Sequence, residues 1–441
     1  MRVWIVNPFD NLPLEGNRPQ RYWLMARAFA RAGHDVVLWT SDFSHARKAK
    51  RVFVVDGIAE KISESRFQIP DSKFQSPGFG GHVGDGFRLE LVPTPSYPRK
   101  ICLRRILSHR AFAARWRAAA EREAAPDLIV GSLPPLALGS ASLDYVRGHA
   151  GVRFVADVQD AWPETFEQVA PRWLLAPLRR VAGRIYRGAD AVSGVAGRYV
   201  ELARSYGATA PTAVFPLGIE LRTGDRCAPE EEKLRTGEGD PPIEQSNNRT
   251  IRQSDDRAVL RLVYAGNMGR SYDLATLVGF VKGDGGVSLD LAGTGPEEAR
   301  LRALAGDCPR IRFHGYLGEE ELRRLLASGD AGVIPMFDAS CVGVPGKLAD
   351  YAAAGLPVLN SLHGETERLL ADAGAGFTYA TGDGASLRDA VARLRAADAA
   401  ALRAGAAALA AHFDADRVYG GYVEWVVTRA VTGQDYGISQ D

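Results

Sequence analysis

No stretch of this chain approaches the roughly 18 to 20 consecutive apolar residues of a membrane-spanning helix, so a transmembrane protein is not expected. Cysteine is scarce: four residues, Cys102, Cys227, Cys308 and Cys341, lie far apart with no CxxC pairing. They read as reduced, mostly buried thiols of a cytoplasmic protein, not as a disulfide framework or a zinc site. Charge excess is lacking as well. A net charge of +1 gives no bulk attraction for nucleic acid. The opening "MRVWIVNPFD" has no charged n-region followed by a long apolar run, so no signal peptide is expected. HExxH, the Walker lysine loop and GxSxG are all missing, and the eight histidines show no metal-ligand spacing. No Cys/His pair has the look of a nucleophilic dyad.

What the chain does have is apolar content: 46% of 441 residues, enough to fill the cores of two ordinary α/β domains. In the first half, "RVWIVN", "DVVLWT", "DLIVGS", "RFVADV" and "ADAVSGV" read as strands, and "RYWLMARAFARAGH" as an amphipathic helix ended by Gly33. Runs rich in Val, Ile and Leu, separated by helical patterns, predict a parallel sheet covered on both faces. The second half repeats the pattern with "LRLVYAGN", "VSLDLAGTG", "RIRFHG", "AGVIPMF" and "LPVLNS". Between the halves, residues 221–257 are rich in charge, Gly, Pro, Asn and Ser, which predicts a linker with a flexible insertion. The expected organisation is a first domain over 1–220, the linker, a second domain over 258–415, and a terminal helix over 416–441. Ligands of open parallel sheets sit beyond the carboxyl ends of the strands, so the cleft between two facing sheets is the expected site.

The stretch "GVPGKLADYAAAGLPVL" reads as loop, helix, turn and buried strand. A helix start offers unpaired amides and partial positive charge, and Lys347 adds a formal one, which suits phosphate. Asp350, three residues on, shares the face of Lys347 and could accept hydrogen bonds from a sugar or ribose diol. The alternative is a Lys–Asp pair on a solvated helix face. In "YAGNMGRSYDL", a strand ends at Ala265, and a turn with Gly266, Asn267, Gly269 and Arg270 leads to a helix. The guanidinium fork of Arg270 suits a pyrophosphate, although Gly-x-x-Gly is often turn chemistry alone. "LAGTGPEEARL" has the same form, with ordinary helix capping as the simpler reading.

Three further stretches of the first half draw notice. The long loop "NPFDNLPLEGNRPQRYW" carries Asn7, Asp10, Glu15, Gly16, Asn17 and Arg18 where α/β proteins place sites. "DVQDAWPETF" gathers Asp157, Asp160, Trp162 and Glu164, which suits either sugar hydroxyls or capping beside an aromatic core. From Pro95, Arg99, Lys100, Arg104 and Arg105 are interleaved with Ile and Leu, the composition of a segment lying on an anionic membrane or of a solvated helix.

These stretches together resemble the GT-B glycosyltransferases, specifically retaining family 4 (the glycosyl transferases group 1). "YAGNMGRSYDLATL", "LDLAGTGPEEARL", "IRFHGYLGEEELRRLLASGDAGVIP" and "GVPGKLADYAAAGLPVLNSLHGETERLL" resemble the family's donor-binding domain in order and spacing. "NRPQRYWLMARAFARAGHDVVLWTSDFSH", "DVQDAWPE" and "VFPLGIEL" resemble a subgroup of O-antigen, capsule and exopolysaccharide assembly. The resemblance implies two Rossmann-like doubly wound α/β domains facing across a cleft, domain closure over the donor, and a C-terminal helix returning to the N-terminal domain. It implies a nucleotide-diphosphate sugar, UDP- or GDP-linked, with no essential metal or other cofactor. It also implies a lipid-linked glycan acceptor reached from the cytoplasmic membrane face.

Of the family's Glu-x7-Glu, the second position is Asp350, expected on the ribose. The first is Val342, a departure that leaves the sugar to the loop Gly343, Val344, Pro345 and Gly346 with Lys347. The family's Arg and Lys around the diphosphate correspond to Arg270 alone, which turns attention to Lys347. The base is implied near Gly315 and Tyr316, and the sugar and phosphate near His363, Gly364, Glu365 and Thr366. Arg270 and Lys347 would stabilise the leaving diphosphate, and Asp160 is the expected acceptor-side polar residue. A nucleotide-sugar 2-epimerase of the same fold and a catalytically silent assembly scaffold are the alternatives.

Overall fold

The computed structural model describes residues 1–15, 17–55, 58–61, 86–98, 102–168, 170–221 and 259–431. Gly16, Arg99, Lys100, Cys227 and the expected insertion beyond Leu221 lie outside the described residues. By internal contacts the chain divides into two units. One is Met1–Glu220 with Cys341–Val344 and Phe413–Asp441, and the other is Leu221–Ser340 with Pro345–His412.

The first unit contains β1 (Arg2–Val6), α1 (Arg21–Arg31), β2 (Asp35–Ser41), β3 (Phe43–Ser44), β4 (Ala49–Lys50), β5 (Val52–Val55), β6 (Ile58–Lys61) and β7 (Phe87–Val92). It continues with α2 (Leu103–Ala120), β8 (Leu128–Leu133), α3 (Leu136–Gly148), β9 (Arg153–Val158), α4 (Arg172–Gly188), β10 (Ala191–Gly194), α5 (Gly197–Ser205) and β11 (Thr212–Val214). Seven strands form one sheet in the order β11-β10-β9-β8-β1-β2-β7, and every pairing is parallel. The β3–β4 and β5–β6 pairs are small antiparallel ribbons. Alternation along β1 explains why its sequence is apolar throughout. Trp4 and Val6 meet Phe112, Trp116 and Tyr145 on one face, whereas Val3 and Ile5 meet Tyr22, Met25 and Phe29 on the other.

The second unit contains β12 (Leu260–Ala265), α6 (Leu274–Gly283), β13 (Val287–Ala292), α7 (Glu298–Ala305), β14 (Ile311–Gly315), α8 (Glu319–Ala327) and β15 (Ala331–Ile334). Then come α9 (Lys347–Ala353), β16 (Val358–Asn360), α10 (Glu365–Asp372), β17 (Gly376–Thr378), α11 (Gly384–Ala396) and α12 (Ala399–Ala410). Its six strands run β14-β13-β12-β15-β16-β17, again all parallel. The last helix, α13 (Ala415–Val426), belongs to the first unit, where Val418, Tyr422 and Val426 pack with Phe29 of α1.

Both sheets are doubly wound. Each reverses its strand order at one place, between β1 and β8 in the first and between β12 and β15 in the second. Strands diverge at such a reversal and leave a crevice at their carboxyl ends. Cys102, Cys308 and Cys341 form no disulfide and are half-buried, less enclosed than expected. Among the described residues, no helix is long and apolar enough to cross a membrane.

Candidate active site

The reversal in the second unit is built around one tyrosine. Strands β12 and β15 pair only at Leu262–Ala331 and Val263–Gly332. Beyond that point the Tyr351 hydroxyl, carried on α9, accepts from the Ala265 amide at 3.0 Å and donates to the Val333 carbonyl at 3.2 Å. Both backbone groups would otherwise be buried without partners. Gly332 makes room for the ring, because a Cβ there would stand 2.6 Å from it.

Lys347 lies in the same crevice. It is buried, so the solvated-face alternative for the Lys347–Asp350 pair does not hold. Its ammonium sits 4.0 Å from the ring centroids of both Tyr264 and Tyr272. It makes no hydrogen bond among the described residues. Burial holds its pKa well below the ordinary lysine value, and Asp350 opposes the shift. Two aromatic faces hold the cation by their quadrupoles, yet none of its three donors is used. Asp350 is half-buried in the first turn of α9. With seven residues, α9 is a short helix with a correspondingly small dipole, so the formal charge of Lys347 does more for an anion than the helix start.

The turn after β12 is knitted to its neighbours through the backbone. The Gly266 amide donates to the Ala292 carbonyl at 2.9 Å, and the Met268 amide donates to Thr294 at 3.0 Å. The Gly293 amide donates to the Gly315 carbonyl at 2.6 Å. Gly293 has φ of +121°, and a Cβ there would collide with the Gly266 carbonyl. The Gly-x-Gly after β13 therefore serves turn-on-turn packing, and Glu297 beyond it stands at the N-cap position of α7 without a side-chain capping hydrogen bond. Arg270 projects from the knitted turn with 91% of its side chain exposed, 3.5 Å from the Glu297 carboxylate. Asn267 holds the turn through its carbonyl, which accepts from the Tyr264 hydroxyl at 2.6 Å. A Cβ on Gly269 would stand 2.6 Å from the Asn267 side-chain amide. Tyr316, following Gly315 at the end of β14, is 80% exposed.

Beyond β16, His363 is exposed, with its imidazole 3.2 Å from Glu367 and its amide donating to Asp338. Gly364 starts α10 with φ of +87°, and Glu365 is half-buried. Thr366 is fully buried in the first turn of α10. Within the expected loop, Pro345 and Gly346 belong with Lys347, whereas Gly343 and Val344 belong to the first unit. A Cβ on Gly343 would lie 2.5 Å from the Ala196 methyl, and the Val342 carbonyl accepts from Arg198 at 3.2 Å.

In the first unit, several expected site residues are occupied structurally. Arg21 binds Asp157 with both branches of its guanidinium, at 2.9 and 2.7 Å. Tyr22 and Ser193 donate to the same carboxylate, at 2.8 and 2.6 Å. Asp157 is thus spent on a satisfied buried network and is not open to a sugar. Glu15 is buried against Arg51, and Glu164 accepts from Tyr206 and lies 3.4 Å from Arg179. Asn7 bridges Asp10 and Ser132 across the reversal between β1 and β8. Asn17 donates to the Leu12 carbonyl at 3.3 Å, and Arg18 is exposed.

Asp160 accepts from the Ala161 amide and the Thr165 hydroxyl, a capping role, while burial raises its pKa. Arg104 is exposed. Arg105 differs from the expectation of a membrane-facing residue. Its guanidinium stacks over Phe9 at 5.8 Å and Trp162 at 5.4 Å, and its Nε donates to His109. The reason is helical phase: Arg105 shares the inward face of α2 with His109 and Phe112.

Sequence reading missed the group this arginine joins. Phe9, His45, Tyr97, His109 and Trp162 form an aromatic cluster with neighbouring centroids 5.1 to 6.4 Å apart. Burial, with Arg105 and His45 beside it, pushes the His109 imidazole down to about 3, so it is neutral at physiological pH. Its members come from separate chain segments, and only the sheet unites them. Among the described residues, no three His, Cys, Asp or Glu side chains are grouped as metal ligands.

Comparison with known proteins agrees with this architecture. Residues 20–218 match the family model described as glycosyl transferase 4-like domain, and residues 260–397 match that of the glycosyl transferases group 1. Among solved structures, the chain is similar to sucrose-phosphate synthase from Thermosynechococcus elongatus, at 16% identity and a TM-score of 0.65, with 96% of this chain and 97% of that one covered. It is similar to Anabaena HepE in complex with UDP-glucose, at 14% identity and a TM-score of 0.58, covering 97% and 99%. It is also similar to WaaG, a glycosyltransferase involved in lipopolysaccharide biosynthesis, at 15% identity and a TM-score of 0.57, covering 97% and 100%. No curated protein sequence matches it. The two doubly wound units and the matched family models define the class: the chain is a glycosyltransferase of the GT-B type.

Proposed function

We propose that the enzyme takes a sugar from a nucleotide-diphosphate donor, UDP- or GDP-linked, and transfers it with retention of configuration to a lipid-linked glycan in surface polysaccharide assembly. The observation that carries the donor reading is Lys347: a buried ammonium at the strand-order reversal, flanked by two tyrosine faces, with three unused donors. Diphosphate oxygens satisfy those donors, and the charge offsets the negative charge that grows on the leaving group as the glycosidic bond breaks. Arg270, exposed on the neighbouring turn, supplies a second cation. Asp350 takes the ribose hydroxyls, and the exposed ring of Tyr316 stacks the base. In this scheme the cations do the work of an essential metal.

The HepE complex with UDP-glucose and the lipopolysaccharide role stated for WaaG support the donor class and the acceptor class respectively. The test is turnover of UDP- and GDP-sugars with a polyprenyl-diphosphate glycan acceptor, the product anomer being assigned by NMR. Transfer with retained configuration, and loss of that transfer in Lys347→Ala, is the expected result. Epimerised nucleotide sugar without any acceptor would replace this reading with the 2-epimerase.

A further inference from the structure

A surface that the donor site does not use stands out in the first unit. Large apolar side chains are exposed on the first turns of two helices. On α2 they are Leu103, 79% exposed, with Ile106 and Leu107. On α4 they are Trp173, 76% exposed, with Leu174 and Leu178. Topology puts these turns at one edge. Each helix follows a strand of the parallel sheet, β7 and β9 respectively, so both begin at the carboxyl edge.

Side chains tie the two turns together. Arg105 of α2 stacks on Trp162, and Trp162 packs on Phe166 at 4.7 Å. Phe166 lies in the short turn Glu164–Gln168, whose Glu167 binds Arg172 and Arg179 of α4. The apolar residues of these first turns are left to solvent, whereas Phe112 and Trp116 of α2 and Leu175 and Ile185 of α4 are buried.

Charge identifies the occupant. Neither helix contains an Asp or Glu over its whole length, 18 residues in α2 and 17 in α4. Arg104 and Arg110 are exposed on α2, and Arg180 is exposed on α4. Exposed Leu, Ile and Trp rimmed by arginine, on helices that carry no acidic residue of their own, is the pattern of a surface that dips into an anionic bilayer.

We infer that the first turns of α2 and α4 form a paired docking surface that inserts Leu103, Ile106, Leu107, Trp173, Leu174 and Leu178 into the interface of an anionic bilayer. The inference rests on the proposed lipid-linked acceptor and names the surface that brings the enzyme to it.

The test is co-sedimentation of the full chain with phosphatidylglycerol/phosphatidylethanolamine vesicles and with phosphatidylcholine vesicles, at low and high salt. Wild type binds the anionic vesicles. Leu103→Ser/Leu107→Ser and Trp173→Ser, all exposed positions, each lower partitioning about tenfold at either salt. Arg104→Gln/Arg110→Gln/Arg180→Gln lowers it by a similar factor at low salt and little at high salt. Brominated lipid quenches less fluorescence in Trp173→Phe than in wild type.

Equal partitioning of wild type and all variants would overturn the inference. So would equal binding to neutral vesicles, or concentration-dependent self-association that the serine variants abolish in place of vesicle binding. Thermal stabilisation by UDP or GDP, measured on the same variants, separates the two proposals. Its persistence alongside lost vesicle binding leaves the donor reading intact, and its absence in wild type removes that reading without touching the docking surface.

Discussion

At the scale of single residues, the two buried charges that matter most are held in opposite ways. Asp157 has every lone pair engaged by Arg21, Tyr22 and Ser193, and is structural. Lys347 has its charge tolerated by aromatic rings and its donors left over, which the proposed diphosphate would satisfy. Replacing Lys347 by Met removes an unpaired buried ammonium, so the melting temperature should hold or rise. Nucleotide-diphosphate affinity should fall about 10- to 100-fold, the worth of a charge-assisted hydrogen bond or two, measured by calorimetry.

Asp10 makes a second prediction. Burial pushes its carboxyl up to about 7, from 3.8. The folded state therefore keeps a proton that the unfolded state has already released, and stability falls as pH rises from about 4 to about 7. Asp10→Asn should flatten that part of a melting-temperature profile. An unchanged slope would contradict the assignment.

At the scale of elements, the second sheet depends on small devices at its carboxyl edge. Tyr351→Phe leaves the Ala265 amide without its acceptor and should cost about 1–3 kcal/mol in urea unfolding. Gly293→Ala should cost more, because it both strains φ of +121° and drives a methyl into the Gly266 carbonyl. The strands themselves were legible: "LRLVYAGN" and "VSLDLAGTG" are continuous apolar runs because both faces are covered. Strand β17 was not, since "GFT" is three half-buried residues with no pattern to read. The phase of α2 was the harder miss. Arg104 and Arg105 look alike in sequence, but one lies outward and the other stacks on Trp162.

At the scale of the molecule, the C-terminal helix is part of the first unit's core. Its Tyr419 and Tyr422 rings both lie 5.8 Å from the Arg21 guanidinium. Deleting Ala415 onward should expose that buried pair and unfold the first unit, seen as loss of near-ultraviolet dichroism. The elements that carry Arg270 and Lys347 were legible because strand, turn and helix are contiguous there. The aromatic cluster of Phe9, His45, Tyr97, His109 and Trp162 was not, because it is assembled from distant segments that only the sheet order brings to one edge.

The most direct test of the central claim is thermal stabilisation of wild type and Asp350→Ala by UDP, GDP, dTDP, ADP and CMP, with and without magnesium. A ligand that binds only the folded state raises the melting temperature by mass action, by a few degrees at about a hundred times its dissociation constant. The account predicts a clear shift with UDP or GDP that does not need magnesium and is lost or sharply reduced in Asp350→Ala. A flat response across all five nucleotides would contradict it.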